Sequence, residues 1–349
     1  MGYDVAFIGH LDDVQAYREA LEALRGPDCP PLTMERVHEL IPRMEPMPIC
    51  DVALRSARGF ERRGIYVDAF LMPTPTWALR AALAKVRAAC RQAAATGARI
   101  GVLGGFSSIV GEQAGARMTD EFGLPFTTGN TLTAAVIATQ AERAVSDLEA
   151  PTIAVVGAAG DVGSGVCRIL HGKGLKLLLV GRAQSPLERL AVELPGQRVC
   201  SWAEAAPQAD CAVLVASTIH GAISLERIRK HATVLDAGHP PNARPSPGLR
   251  YAMAGRVKHR HKPVGEIPQF IEQGGGAGEF HACLVEGEVL AYERRWEAFS
   301  TGRGNIRPEQ AREIHELAQR HGIEPAPLHW MVDGLSGRLH EDAEVAAGS

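Results

Sequence analysis

Short apolar runs recur through the middle of the chain and alternate with stretches of helical periodicity. The runs cover residues 152–156, 175–180, 211–216 and 233–236. An alternation of this kind predicts a parallel sheet with right-handed helical crossovers. We therefore expect an α/β protein with a doubly wound parallel sheet of the Rossmann type, in a domain that spans residues 131–254.

The flanking segments carry weaker patterns. Strands are predicted over residues 4–8, 64–71 and 100–103, and helices over 77–95, 131–148, 280–296 and 308–321. Two proline-rich stretches, 26–31 and 42–48, predict breaks in regular structure. Residues 1–130 and 255–338 are expected to form a second α/β domain that binds substrate, and residues 339–349 a disordered tail.

A glycine-rich turn follows the first strand of the central domain. Gly157, Gly160 and Gly163 stand between that strand and an apolar-periodic helix. In such a turn the first glycine permits the bend, the second lets the backbone approach a pyrophosphate, and the third lets helix and strand pack closely. The G-x-x-G-x-x-G spacing is not specific by itself, but its place between strand and helix predicts a dinucleotide site. The predicted contacts are Gly157, Ala159, Gly160, Asp161, Val162 and Gly163.

The residue after the second strand selects the cofactor. NAD sites usually carry an acidic residue there, whereas this chain has Arg182 and no carboxylate before Glu188. An arginine fork pairs with a 2′-phosphate, so we predict NADPH; the alternative is a solvated loop arginine. Ala216, Ser217 and Gly238 follow two later strands and are expected to line the same site.

Composition and charge narrow the functional classes. The chain has 349 residues, 46% of them hydrophobic, and a net charge of -3. A slightly negative net charge does not predict binding to nucleic acid or to an anionic membrane surface. The sequence predicts neither a signal peptide nor a transmembrane segment. Seven cysteines without C-x-x-C or zinc-like spacing predict reduced thiols in a cytoplasmic protein, and no metal site.

One cysteine is a candidate nucleophile. Cys283 follows a glycine-rich stretch and stands near the start of a predicted helix. A helix N-terminus stabilises a thiolate, and a cysteine of low pKa beside a nicotinamide suits thioester reduction, in which the thiolate takes the acyl group. The alternative is a small, buried, apolar side chain.

Several motifs in one order resemble the long-chain acyl-[acyl-carrier-protein] reductases of the cyanobacterial alkane pathway. They cover residues 8–11, 103–109, 126–131, 155–164, 215–217, 282–286 and 302–306. The resemblance extends from about Phe7 to Pro327 and implies NADPH-dependent reduction of a fatty acyl thioester, on acyl carrier protein or coenzyme A, to the aldehyde. It places the acyl-enzyme cysteine at Cys283. His281 stands where an apolar residue is expected and, on a helix, would face away from Cys283.

The remaining candidates each have a structural alternative. Glu286 either orients a helix terminus near the site or is an exposed helix carboxylate. Thr128, Asn130 and Ser107 are candidate oxyanion donors, but Asn130 as a helix N-cap and Ser107 as a turn residue need no catalytic role. His10 is either the acid or a buried structural histidine.

Two other classes of protein remain open. One is a different NADP-dependent oxidoreductase with a similar two-domain plan, like shikimate dehydrogenase or glutamyl-tRNA reductase; the near-neutral charge speaks against a tRNA surface. The other is a non-catalytic NADP-binding module that holds acyl carrier protein or hands an aldehyde to a partner enzyme.

Overall fold

The computed structural model describes residues 2–11, 14–71, 79–105, 107–108, 115–216, 223–238, 241–260 and 278–331. Contacts divide the chain into two compact units. Residues 1–135 and 256–324 form one, here called the terminal unit, and residues 136–255 and 325–349 form the other, here called the Rossmann unit.

Strands and helices follow one another along most of the described chain. The strands are β1 (Val5–Gly9), β2 (Met47–Arg55), β3 (Glu61–Asp68), β4 (Ile100–Leu103), β5 (Phe126–Thr127), β6 (Thr152–Val156), β7 (Lys176–Val180), β8 (Arg198–Val199), β9 (Cys211–Leu214), β10 (Thr233–Asp236), β11 (Arg250–Met253), β12 (Arg256–His259), β13 (Glu279–His281) and β14 (Ile323–Pro325). The helices are α1 (Val14–Arg25), α2 (Met34–Leu40), α3 (Leu79–Ala95), α4 (Gly115–Phe122), α5 (Asn130–Ala144), α6 (Asp161–Gly172), α7 (Gln184–Glu193), α8 (Trp202–Ala205), α9 (Ala282–Tyr292) and α10 (Pro308–Arg320). Short 3₁₀ turns at Ile41–Arg43 and Ala206–Gln208 extend α2 and α8.

The Rossmann unit contains a six-stranded sheet in the order β11-β10-β9-β6-β7-β8. Its paired strands run parallel throughout. The chain starts at β6 in the middle, adds β7 and β8 on one side, and then returns to add β9 to β11 on the other. The order therefore reverses between β6 and β9, which is where doubly wound sheets bind their ligands. The predicted Rossmann fold is confirmed.

The terminal unit is built on a five-stranded sheet in the order β2-β3-β1-β4-β5. Strands β3, β1, β4 and β5 are parallel, so their carboxyl ends meet at one edge. Helix α3 covers one face of this sheet, and α9 packs against β1 and β4. The approach of α9 is close because Gly287 lies directly against the side chain of Val102. A separate three-stranded sheet has the order β13-β12-β14.

Three local predictions were wrong. The proline-rich stretch 42–48 leads into β2, which tolerates Pro48 because β2 lies at the sheet edge and has a register irregularity between Pro48 and Cys50. The helix predicted from residue 280 begins at Ala282, since residues 279–281 pair with β12. Asn130 is the first residue of α5 and not its N-cap.

The last described residues of the chain belong to the Rossmann unit and not to the second domain in which they were expected. Residues 325–331 belong to the Rossmann unit, because Met331 pairs with Tyr251 and Gln140 donates to the Ala326 carbonyl at 2.9 Å. The predicted tail, residues 339–349, lies outside the described residues.

None of the helices in the described part of the chain is both long and apolar enough to cross a membrane.

Candidate active site

Cys283 occupies the first turn of α9. His281, two residues earlier, is the last residue of β13 and has an extended conformation. Its side chain makes no hydrogen bond that caps the helix. Cys283 as a residue is partly exposed, while its sulfur lies among protein atoms. Burial raises the pKa of the Cys283 thiol, and the backbone amides of Gly105 and Leu284, which favour the thiolate, lower it by less. The expectation of a low pKa at this helix N-terminus was therefore wrong, because desolvation exceeds the stabilisation by the amides.

Three strand-end loops of the terminal unit converge around this cysteine. Gly129 follows β5, and a Cβ at its position would lie only 1.9 Å from the Cys283 carbonyl oxygen. Gly105 follows β4, and a Cβ there would lie 2.8 Å from Nε2 of His10, which itself follows β1. The carboxyl ends of these parallel strands lie at one sheet edge, which brings residues distant in sequence to the start of α9.

His10 is buried in the loop after β1. Its Nδ1 lies 3.1 Å from the Leu11 carbonyl oxygen. Since a carbonyl only accepts hydrogen bonds, this contact places the hydrogen of a neutral ring on Nδ1 and the lone pair on Nε2. Nε2 is also the ring atom that faces Gly105. The imidazole therefore turns Nε2 toward the loop whose amide contacts the cysteine.

Glu286 lies one turn after Cys283 and is fully buried, so its interpretation as an exposed carboxylate was wrong. The carboxylate accepts from the Thr127 hydroxyl at 2.6 Å and the Leu132 backbone N–H at 2.9 Å. The Ser300 hydroxyl lies 2.7 Å from Oε1 and accepts from the Thr131 backbone N–H at 3.1 Å. Glu286 and Ser300 thus satisfy the first free N–H groups of α5 from outside the helix.

The predicted oxyanion donors differ in what they contact. The Thr128 backbone N–H and hydroxyl both face the Ser300 carbonyl, at 3.1 and 3.4 Å. Asn130 is buried in the first turn of α5. The Ser107 hydroxyl is fully buried and has no hydrogen-bond partner in the described part of the chain. A buried donor without a partner is costly, so Ser107 is the hydroxyl here that a ligand oxygen would satisfy.

The glycine turn of the Rossmann unit has the geometry of a phosphate cradle. Gly157 has φ +95°, and a Cβ there would lie 2.7 Å from the Ala216 nitrogen. A Cβ at Gly163 would lie 2.2 Å from the Gly157 carbonyl oxygen, which brings α6 against the turn. Gly160 caps α6 without a side chain, and Ala159 and Val162 are only partly buried beside it. These residues fit a pyrophosphate bound to the amides of the α6 N-terminus.

The other predicted cofactor contacts that the structure describes lie at the same edge of the Rossmann sheet. Arg182 is exposed and follows β7 by two residues. Asp161 begins α6 and is buried. The Gly238 amide already donates to the Asp236 carboxylate at 2.9 Å, so it has no N–H to offer. Ser217 lies outside the described residues.

Sequence reasoning missed several residues of the terminal-unit site. Thr127 stands inside a motif that was recognised, but Ser300 precedes the glycine motif at 302–304 without any pattern of its own. Gly105 also lies inside a recognised motif, at residues 103–109, but no role was assigned to it. Only a contact across more than 150 residues of sequence, such as that between Thr127 and Glu286, reveals these roles.

A parallel Rossmann sheet with a glycine turn between strand and helix is the architecture of the NAD(P)-binding oxidoreductases. The chain belongs to the long-chain acyl-[acyl-carrier-protein] reductase family. It is 32% identical over 340 residues to the long-chain acyl-[acyl-carrier-protein] reductase of Synechococcus elongatus, covering 92% of this chain and 98% of that protein. The resemblance inferred from the motifs is thereby confirmed.

More distant similarities are partial. The aminotransferase PigE of a Serratia species is 29% identical over 251 residues, which cover 66% of this chain and 28% of that protein. Among solved structures, L-tryptophan dehydrogenase from Nostoc punctiforme aligns over 91% of this chain and 79% of its own, with 12% identity and a TM-score of 0.38. The yhdH oxidoreductase from Salmonella enterica, in complex with NADP, aligns over 36% of this chain and 43% of its own, with 20% identity and a TM-score of 0.30. No protein-family model matches the chain.

Proposed function

We propose that this protein reduces a long-chain fatty acyl thioester, carried by acyl carrier protein or coenzyme A, to the aldehyde with NADPH and through an acyl-enzyme on Cys283. The observation that carries the proposal is the setting of Cys283. Its sulfur lies at the N-terminus of α9, and the amides of Gly105 and Leu284 favour its thiolate. The Ser107 hydroxyl, two residues after Gly105, is buried without a partner in the described residues. Membership of the reductase family supports the substrate class.

Acyl transfer requires a base because the thiol is protonated in the free protein. Burial raises the pKa of Cys283, so the proton must leave as the sulfur attacks. His10 is the proposed base, since its Nε2 carries a lone pair and faces Gly105. The proton moves to His10, a bond forms between the Cys283 sulfur and the acyl carbon, the bond to the carrier sulfur breaks, and the carrier thiolate takes the proton from His10. The carrier is released with a free thiol.

Reduction of the acyl-enzyme leaves the protein ready for another cycle. When bound, NADPH supplies the hydride that reduces the thioester carbonyl. Gly157, Ala159, Gly160, Val162 and Arg182 would hold it, the last through the 2′-phosphate. The bond between the acyl carbon and the Cys283 sulfur breaks as the aldehyde forms, and the Cys283 thiolate then takes up one proton. The overall reaction consumes one thioester, one NADPH and one proton.

Glu286 and Ser300 act as positioning residues in this proposal. They bind the amides at the start of α5 and thereby hold Gly129 against the Cys283 backbone. A fixed Gly129 loop in turn holds the first turn of α9, which carries the sulfur. Neither side chain is assigned a proton transfer, because both Glu286 oxygens already accept hydrogen bonds from the protein.

Intact-protein mass spectrometry tests the covalent step. The protein is mixed with palmitoyl-coenzyme A, or with palmitoylated acyl carrier protein, in the absence of NADPH. We expect a mass gain of one acyl group that Cys283→Ala abolishes and that NADPH discharges as aldehyde. Cys29→Ser is the matched control, because Cys29 is an exposed free thiol. An adduct that survives Cys283→Ala, or no adduct with either thioester, contradicts the proposal and leaves direct hydride transfer or a non-catalytic module.

A further inference from the structure

A buried phenol and a buried carboxylate lie behind the His10 loop. Tyr17, on α1, is 1% exposed, and Asp68, the last residue of β3, is 3% exposed. The Tyr17 hydroxyl oxygen lies 3.1 Å from Oδ1 of Asp68 and 3.0 Å from the Leu71 carbonyl oxygen. Neither residue takes part in the proposed acyl transfer.

Both residues hold loops at the carboxyl edge of the terminal-unit sheet. Asp68 also accepts from the Phe70 backbone N–H at 2.6 Å, and Phe70 has the left-handed φ of 47° that a residue with a side chain rarely adopts. The Phe70 ring stacks on that of Tyr17 with centroids 5.8 Å apart. The loop after β3 is therefore fixed at several points, and Asp68 itself pairs with Gly9, the residue before His10.

The same phenol reaches the loop that carries the imidazole. The Leu11 backbone N–H donates to the Tyr17 hydroxyl at 3.2 Å, and the carbonyl of Leu11 is the group that His10 Nδ1 contacts. Leu11 thus contacts the Tyr17 hydroxyl through its N–H and the His10 ring through its carbonyl. Tyr17 therefore holds the residue whose carbonyl contacts the His10 ring.

Packing alone does not explain the phenol. Tyr17 lies in a cluster of buried apolar side chains that includes Leu11, Leu21, Val37, Ile41 and Phe70. A phenylalanine would fill nearly the same volume there without any polar atom to satisfy. Burying a hydroxyl and a carboxylate costs free energy, which hydrogen bonds only offset. The hydrogen bonds of Tyr17 and Asp68 connect the loops that follow β1 and β3, which points to a role in holding these loops together.

We propose that Tyr17 and Asp68 are positioning residues that hold His10 in the orientation in which Nε2 faces the Gly105 loop, whose amide contacts Cys283. The inference rests on the proposed function, in which His10 is the base. It predicts that loss of the Tyr17 hydroxyl impairs acyl transfer only in a protein that still has the imidazole.

The experiment is a double-mutant cycle on the rate of acyl transfer. Wild type, Tyr17→Phe, His10→Gln and the double variant are mixed with excess palmitoyl-coenzyme A without NADPH, and the acyl-enzyme is counted by intact mass at successive times. We expect His10→Gln to slow the saturating rate about 100-fold and Tyr17→Phe about 10-fold, with the half-saturating thioester concentration unchanged. In the His10→Gln background, Tyr17→Phe should have no further effect.

Tyr3→Phe is the matched control. Tyr3 donates a hydrogen bond to the Asp51 carboxylate at 2.6 Å. The Tyr3→Phe variant therefore loses the same type of hydrogen bond, but in an exposed setting and away from His10. It should be acylated at the wild-type rate. Asp68 offers a second pair of variants: Asp68→Asn keeps an acceptor for Phe70 and Tyr17 and should be acylated much faster than Asp68→Ala. This pair keeps the test available if Tyr17→Phe does not fold.

The outcomes separate the inference from the proposed function. If Tyr17→Phe slows acyl transfer by the same factor with and without His10, or no more than Tyr3→Phe does, the positioning role is wrong while the acyl-enzyme stands. If Asp68→Asn is no faster than Asp68→Ala, the hydrogen-bonding role of Asp68 is wrong. If wild type forms no adduct on Cys283, the proposed function itself fails.

Discussion

Replacing Gly129 by alanine should separate the chemistry of Cys283 from the stability of the fold. Gly129 has φ +70°, and a Cβ at this position would lie 1.9 Å from the carbonyl oxygen of Cys283 and 2.4 Å from its Cα. Both of these are backbone atoms, so no side-chain rotation relieves the collision. Either the Gly129 loop or the first turn of α9 must move by at least about 1 Å to restore ordinary contact.

The two consequences have different magnitudes. An alanine in the left-handed region costs about 1–2 kcal/mol of folding free energy, and overpacking adds about 1–3 kcal/mol. A displacement of about 1 Å in a catalytic group costs about 100-fold in rate. We therefore expect Gly129→Ala to fold with reduced stability and to acylate Cys283 about 100-fold more slowly than wild type.

Gly123→Ala is the control that isolates the conformational cost. Gly123 has φ +62°, but a Cβ there meets nothing within 4 Å. It should lose about 1–2 kcal/mol in urea unfolding and keep the wild-type rate of acyl-enzyme formation by intact mass. If Gly129→Ala reacts as fast as Gly123→Ala, the contact between the Gly129 loop and Cys283 does not determine reactivity, and the reasoning is refuted.

Three further predictions test other parts of the molecule. Arg182→Ala should weaken NADPH binding about tenfold and leave NADH unchanged, measured by fluorescence titration beside the exposed control Arg189→Ala; equal losses for both cofactors would refute the 2′-phosphate role. Glu286→Gln should lower the free energy of unfolding in urea by about 1–3 kcal/mol. The NH₂ group of the glutamine would face hydrogen-bond donors that the carboxylate oxygens of wild type accept from, and an unchanged midpoint would contradict that account. Burial raises the pKa of Asp68 from the ordinary 3.8 to about 7. Because the folded value lies above the unfolded one, folding takes up a proton, and this contribution to stability is full below about pH 4 and lost as the pH rises through about 7. Between those limits the unfolding free energy of wild type should therefore fall relative to that of Asp68→Asn, and parallel pH profiles would count against it.

The central domain was largely predictable because its signals are local. The strands β6, β7, β9 and β10 are buried apolar runs, as parallel strands covered on both faces must be. The glycine turn lies between a strand and a helix that adjoin it in sequence. Neither inference needed a contact across the chain, and the structure bears out the fold in both respects.

The terminal unit was less predictable, because its strands and its site depend on contacts distant in sequence. β2 contains Pro48, which local reasoning takes as a break, and only its place at the sheet edge makes it a strand. β13 is three residues long and was absorbed into the helix that follows it. The pKa of Cys283 shows the same limit: the helix N-terminus is visible in the sequence, whereas the burial that outweighs it is not.

The arrangement around Cys283 follows from the topology of the terminal-unit sheet. β1, β4 and β5 are neighbours and parallel, so the segments after them, which carry His10, Gly105 and Gly129, meet at one edge although more than 100 residues of sequence separate the first from the last. α9 comes from much later in the chain and packs along β1 and β4, with its N-terminus and Cys283 at that edge. In the proposed mechanism, a thiol that burial keeps protonated reacts only where these loops are in place. Displacement of any one of them should suppress acyl transfer before it unfolds the protein, because the proposed reaction needs the three loops together, whereas each loop makes only a small contribution to the fold.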